Sequence, residues 1–171
     1  MRAKFPGSDT AIQFANMTKS PIRPTDDDAR KLARTLIDNA EFGAIGVLVD
    51  GAPMVSRISI ATHPDGTPLT LISDLSLHTK ALRENPSASL LLGEPGERGD
   101  PLTHPRITLQ VQAEFLEKSE ALAKTYLAQH PKAKLYIGFT DFNFVRLRPT
   151  HAHLNGGFGK AFNLSAADLT E

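Results

Sequence analysis

Two apolar runs meet at Asp50-Gly51. That dipeptide readily adopts the left-handed backbone of a two-residue hairpin, so it ties the flanking runs into adjacent antiparallel strands. Upstream lies FGAIGVLV, and downstream PMVSRISIAT alternates. Val55, Arg57 and Ser59 fall on one face of this strand, and Met54, Ser56, Ile58 and Ile60 on the other. Pro64-Asp65-Gly66 reads as a second turn, because proline presets φ and glycine accepts a positive one. PLTLIS follows as a third strand, which predicts a three-stranded meander over residues 43–73.

Helices bracket this meander. Thr25 reads as an N-cap, with Asp26, Asp27 and Asp28 in the first turn, where carboxylates favour the positive end of the helix dipole. Ala29, Leu32, Ala33, Leu36, Ile37 and Ala40 recur at helical spacing and bury one face. SLHTKALRENP predicts a short helix capped by Ser76 and stopped at Asn85-Pro86. SASLLLG is a fourth strand, residues 93–105 a long exposed loop, and RITLQVQAEFLE a long alternating fifth strand. Ser119 caps a third helix through Gln129, which Pro131 ends. FNFVRLRPTHAHLN alternates again before a glycine-punctuated NGGFGKAF. Only one stretch between consecutive strands has room for a parallel crossover, so the sheet is expected to be mainly antiparallel and to hide its edges by closing. The fold class is α+β, helices around a β-barrel.

Composition narrows the function. Lys+Arg and Asp+Glu both number 19 in 171 residues, a balance that argues against general nucleic-acid binding. No apolar run is long enough to span a bilayer, and MRAKFPGSDT lacks the apolar core of a signal peptide, so a cytoplasmic protein without a membrane partner is expected. There are no cysteines, which removes disulfides, thiolate catalysis and cysteine-held metals. Residues 1–24 read as an arm, disordered or docked as an extended strap, with Ile12, Phe14 and Met17 able to dock on a neighbour.

Chemistry concentrates between Arg57 and Lys80. Arg57 sits mid-strand amid apolar neighbours, a costly place for a guanidinium unless an anion meets it. Ser73-Asp74 closes the next strand, and His78, Thr79 and Lys80 stand in the first turns of a helix. Amide N–H groups, a hydroxyl and an ammonium there suit a phosphate, although Lys80 on a solvated helix face reads equally well.

The run VSRISIAT, a turn, PLTLISD and then HTKALRENPSASLLL resembles the FMN-binding split β-barrel of the pyridoxamine 5′-phosphate oxidase superfamily. The haem-utilisation branch is the nearer likeness, through IRPTDDDARKLARTL, SDLSLHTKALRENP, GDPLTHPRITL and GGFGKAF. The resemblance covers residues 25–163 and leaves 164–171 as a tail. It implies a mainly antiparallel split β-barrel flanked by helices, in a homodimer with cofactor sites at the subunit interface. It further implies Arg57 and Lys80 on the flavin phosphate, Ser73 at the phosphate or ribityl chain, and Arg106 near the flavin ring or a porphyrin. His78 and Thr79 stand where the oxidases carry a serine-arginine pair, and Thr62 where they carry a lysine. The residues that hold pyridoxal phosphate are not identifiable, which excludes vitamin B6 synthesis.

The six histidines admit readings of their own. His151 and His153 project from one face of a strand and could hold a divalent metal, but no third ligand lies at diagnostic spacing, and an exposed polar face is the simpler reading. The haem branch uses a C-terminal histidine as axial ligand, so the same two are the axial candidates if haem binds. His63 and His130 read as solvent-exposed, and His104, close to Arg106, as a loop residue or as part of the pocket lining. Phe158, among three glycines, reads as a turn or as a stacking surface for a flat ligand. Three readings follow: an FMN-dependent oxidoreductase with no identifiable catalytic residue, which leads; a haem-binding or haem-degrading protein; and a non-catalytic split-barrel dimer.

Overall fold

The computed structural model describes residues 22–169. The reading of residues 1–21 as part of an arm, including Ile12, Phe14 and Met17, lies outside them. The described chain runs β1 (Ile22–Arg23), α1 (Asp27–Asp38), β2 (Phe42–Val49), β3 (Ala52–Ser59), β4 (Ala61–Thr62), β5 (Pro68–Ser73), α2 (Leu77–Glu84), β6 (Ser87–Leu92), β7 (Arg106–Leu116), α3 (Glu120–Gln129), β8 (Phe142–Asn155) and β9 (Ala161–Ser165). Every strand pair is antiparallel except β1 with β9. This is the expected α+β split barrel.

The Asp50-Gly51 hairpin forms as read, with φ of 51° and 77° at the two residues and Val49 opposite Ala52. The meander does not. β5 pairs with β4 and with the first half of β8, not with β3. Its residues are buried on both faces, so it lacks the alternation that marks a strand with a single wet face. The sheet therefore runs β1-β9-β8-β7-β6-β2-β3, with β5 joined to it through β8. It does not close by hydrogen bonding, against the expectation of a closed barrel.

Two apolar cores result. The larger lies inside the sheet under α1, with Ile45, Leu90, Ile107, Leu109, Leu147 and Leu154 among its members. The smaller lies between β5, β8 and α3, where Tyr126 packs edge-on against Phe144 at 5.7 Å. Val145 and Leu147 of β8 face the larger core while Phe144 faces the smaller, so this half of the strand is covered on both sides.

Side-chain caps close two of the helices. Ser119 caps α3 by accepting from the Leu122 amide at 3.2 Å. The cap of α1 is Asp26, which accepts from the Ala29 amide at 2.8 Å. Thr25, expected in that role, instead donates its hydroxyl to the Asn163 carbonyl at 2.9 Å. Ser76 occupies the N-cap of α2 without a side-chain hydrogen bond. The C-terminal segment expected as a tail continues β9 to Ser165 and buries Leu164 and Leu169.

Candidate functional site

A β-bulge decides where the histidines go. Gln110 pairs with His151 and Val111 with Pro149, which leaves Thr150 as the extra residue of β8. Before it the odd-numbered Val145 and Leu147 face the larger core; after it the even-numbered Ala152 and Leu154 do. The shift turns His151 and His153 onto the outer face of the sheet. Their rings meet edge to face, with centroids 5.0 Å apart and planes at 72°. Nδ1–H of His153 donates to Oδ1 of Asn163 across β8 and β9 at 2.9 Å, which leaves Nε2 directed away from that contact.

Arg57 shares this outer face. The register runs Arg57, Ala44, Leu91, Thr108, His153, Asn163 across six strands. Arg57 and His153 are thus four strand spacings apart, about 19 Å along the sheet. The adjacent row runs Val55, Gly46, Ser89, Gln110, His151, Ser165. Gly46 and Ser89 of this second row floor an open groove of about 530 Å³, which Leu48, Pro53, Gln110, Gln112 and Thr150 also line. Leu48, Val55 and Leu91 are 51%, 68% and 42% exposed on the same face. Arg57 lies over the Phe42 ring at 5.1 Å and has no ion-pair partner among the described residues.

The other expected site residues stand elsewhere. Ser73 donates its hydroxyl to the Asp141 carboxylate at 2.6 Å and accepts from the Leu75 amide. His78 of α2 turns toward β3, where its Nδ1 meets the Ser56 hydroxyl at 2.9 Å. Burial pushes its imidazole pKa below the ordinary 6.5. Thr79 is fully buried in α2, while Lys80 is exposed. Arg106 donates to the carbonyls of Leu102 and His104, and His104 accepts from the Gly96 amide and donates to the Arg98 carbonyl. Together they brace the 93–105 loop.

His63 and His130 are not the exposed side chains expected. His130 donates to the Ile60 carbonyl at 2.7 Å and packs on Tyr126. His63 pairs with Asp65 at 2.7 Å with its side chain 18% exposed. Phe158 is 98% exposed at the tip of the β8–β9 turn. Sequence reasoning missed Asn163, Thr150 and the Gly46–Ser89 floor. Only Asn163 carried a signal, as the polar residue between Phe162 and Leu164 on an alternating strand.

The chain is an open split barrel of the α+β class, its outer face carrying a small-residue groove, two neighbouring histidines and an arginine without an ion-pair partner among the described residues. The chain belongs to the CREG β-barrel family, which it matches over residues 24–170. It is 36% identical over 135 residues to the chloroplastic noncanonical haem oxygenase HOZ of Arabidopsis thaliana, covering 75% of this chain and 40% of that one. It is 28% identical over 127 residues to the haem oxygenase HutZ of Vibrio cholerae, covering 71% and 72%. Among solved structures, a haem-binding protein from Mycobacterium smegmatis superposes with a TM-score of 0.77 at 29% identity, over 87% of this chain and 61% of that one. The chain therefore spans less than half the length of HOZ. These relatives favour the haem alternative; the flavin-dependent oxidoreductase expected first from the sequence has no support among them.

Proposed function

We propose that this chain binds haem on the outer face of its sheet, as a haem-utilisation protein related to the haem oxygenases. The observation that carries the reading is the His153–Asn163 pair. A ring whose Nδ1–H is held by an amide oxygen has its tautomer fixed, and its Nε2 lone pair is free for a metal. His153 would hold the iron. The same outer face carries a groove with the volume of cofactor sites, exposes Leu48, Val55 and Leu91 to a flat apolar macrocycle, and holds Arg57, four strands from His153, as a cation suited to a carboxylate. Haem supplies the iron at which dioxygen chemistry takes place. The chain's own part is to hold the ring, orient the ligand nitrogen and balance the carboxylates. The same exposed apolar residues suit a second copy of the chain, giving a homodimer with haem between subunits.

The test is haem titration of the purified protein, read at the Soret band, beside a parallel titration with FMN. A Soret band that shifts and falls in His153→Ala, with far-UV circular dichroism unchanged, is the expected result. Flavin bands that survive gel filtration, with no haem uptake, would overturn the reading. Light scattering with and without haem tests the dimer.

A further inference from the structure

His151 and His153 have the spacing of a two-imidazole chelate. A divalent ion bonded to one nitrogen of each ring lies about 2.0–2.1 Å from each nitrogen, and so roughly 3.2 Å from each ring centre. A tetrahedral angle at the ion then separates the ring centres by about 5.2 Å, and a right angle by about 4.5 Å. The observed separation of 5.0 Å falls between those limits, and a turn of the His151 ring about its Cβ–Cγ bond, which leaves the ring centre in place, takes the pair from edge to face to nitrogens that converge on one ion. His153 keeps Nε2 open because Asn163 occupies its Nδ1, and His151 makes no side-chain hydrogen bond among the described residues. The cross-strand neighbours of the pair are Thr108, Gln110, Asn163 and Ser165, all uncharged, so no cation opposes a metal ion there.

We infer that His151 and His153 together bind one divalent late-transition ion, zinc, nickel or copper, with the remaining coordination positions open to water. Imidazole nitrogens suit these ions, whereas magnesium and calcium prefer oxygen ligands. The clamp is distinct from haem ligation. The two axial ligands of one haem iron oppose each other across the macrocycle, which two neighbouring side chains of one sheet face cannot do. The metal clamp uses both rings and the haem reading one, so metal and haem compete at His153. The inference does not rest on haem binding.

The experiment is a titration of the full chain, without a histidine tag, with zinc alone against a chromophoric chelator. One zinc per chain is expected, with affinity lowered at least tenfold in His151→Ala and in His153→Ala. Loss of the Asn163 partner in Asn163→Ala is expected to cost about tenfold. No zinc uptake by the wild type, or uptake unchanged in the double histidine variant, would overturn the inference. Haem titration of the same proteins separates the two readings. His151→Ala is expected to lose zinc while keeping a Soret band. Haem uptake by a wild type that takes no zinc would sink the clamp and leave the haem reading. Zinc uptake by a wild type that takes no haem would do the reverse.

Discussion

Asn163 of β9 holds the Nδ1–H of His153 on β8 at 2.9 Å, a contact between neighbouring strands that fixes which nitrogen faces outward. If His153 carries the haem iron, its partner tunes the iron through the ring. A carboxylate in place of the amide makes the imidazole a stronger donor and stabilises the oxidised metal. Asn163→Asp is therefore expected to lower the reduction potential of the bound haem, and Asn163→Ala to weaken haem binding by about tenfold or more. Spectroelectrochemistry and Soret titration check the two. A potential unchanged in Asn163→Asp would remove His153 from the iron.

Arg57 supplies the one outer-face cation in the row of His153. It lies over Phe42 and has no acidic partner among the described residues, so its charge is available to a propionate. A charge-assisted hydrogen bond contributes about 1.5–3 kcal/mol. Arg57→Ala is expected to weaken haem binding by roughly tenfold or more, with Arg57→Lys recovering part of the loss. Thermal stability is expected to change little, because Arg57 is exposed. Equal haem affinity in wild type and Arg57→Ala would move the propionates elsewhere.

His78 predicts a pH dependence of stability. Desolvation between α2 and β3 lowers its pKa below the ordinary 6.5, and its Nε2 is buried without a hydrogen-bond partner. Just below pH 6.5 the unfolded chain therefore binds more protons than the folded one, so stability rises with pH there. The contribution is complete above pH 6.5 and is lost as the pH falls toward the folded pKa. The melting temperature is expected to drop between about pH 7 and pH 5, and the drop to flatten in His78→Gln. A slope unchanged in that variant would assign the acid sensitivity to other groups.

Local chemistry was legible; long-range register was not. Ser119 and Pro131 delimit α3 by capping and by the loss of an amide donor, so both ends could be read directly. Asp50-Gly51 gave the β2–β3 hairpin for the same reason, since the turn is made by its own residues. β5 was misassigned because its partner, β8, lies some seventy residues downstream and PLTLIS has no dry and wet face to betray a neighbour. The candidate site was half legible. The shared face of His151 and His153 follows from their spacing, but their outward direction depends on the bulge at Thr150, and Asn163 enters only through the β8–β9 register. His130 looked like an exposed loop residue before a proline, yet its bond to the Ile60 carbonyl places it beside Tyr126.

Gly93 joins β6 to the loop that returns into β7, and its backbone has a φ of 99°, open to glycine and strained for any other residue. A Cβ there would lie 2.6 Å from the Pro105 carbonyl oxygen and 2.8 Å from the Arg106 Cα. Both are backbone atoms at the head of β7, so relief requires the strand to move rather than a side chain to turn. Leu92 and Ile107 pair immediately inside this junction and are both buried, so movement there disturbs the larger core. Gly93→Ala is expected to lower folding stability by about 2–3 kcal/mol, beyond the penalty of a positive φ alone. Urea denaturation reads this as a lower midpoint at an unchanged slope. A midpoint equal to that of the wild type would mean the β6–β7 junction relaxes freely and does not hold the register of the groove.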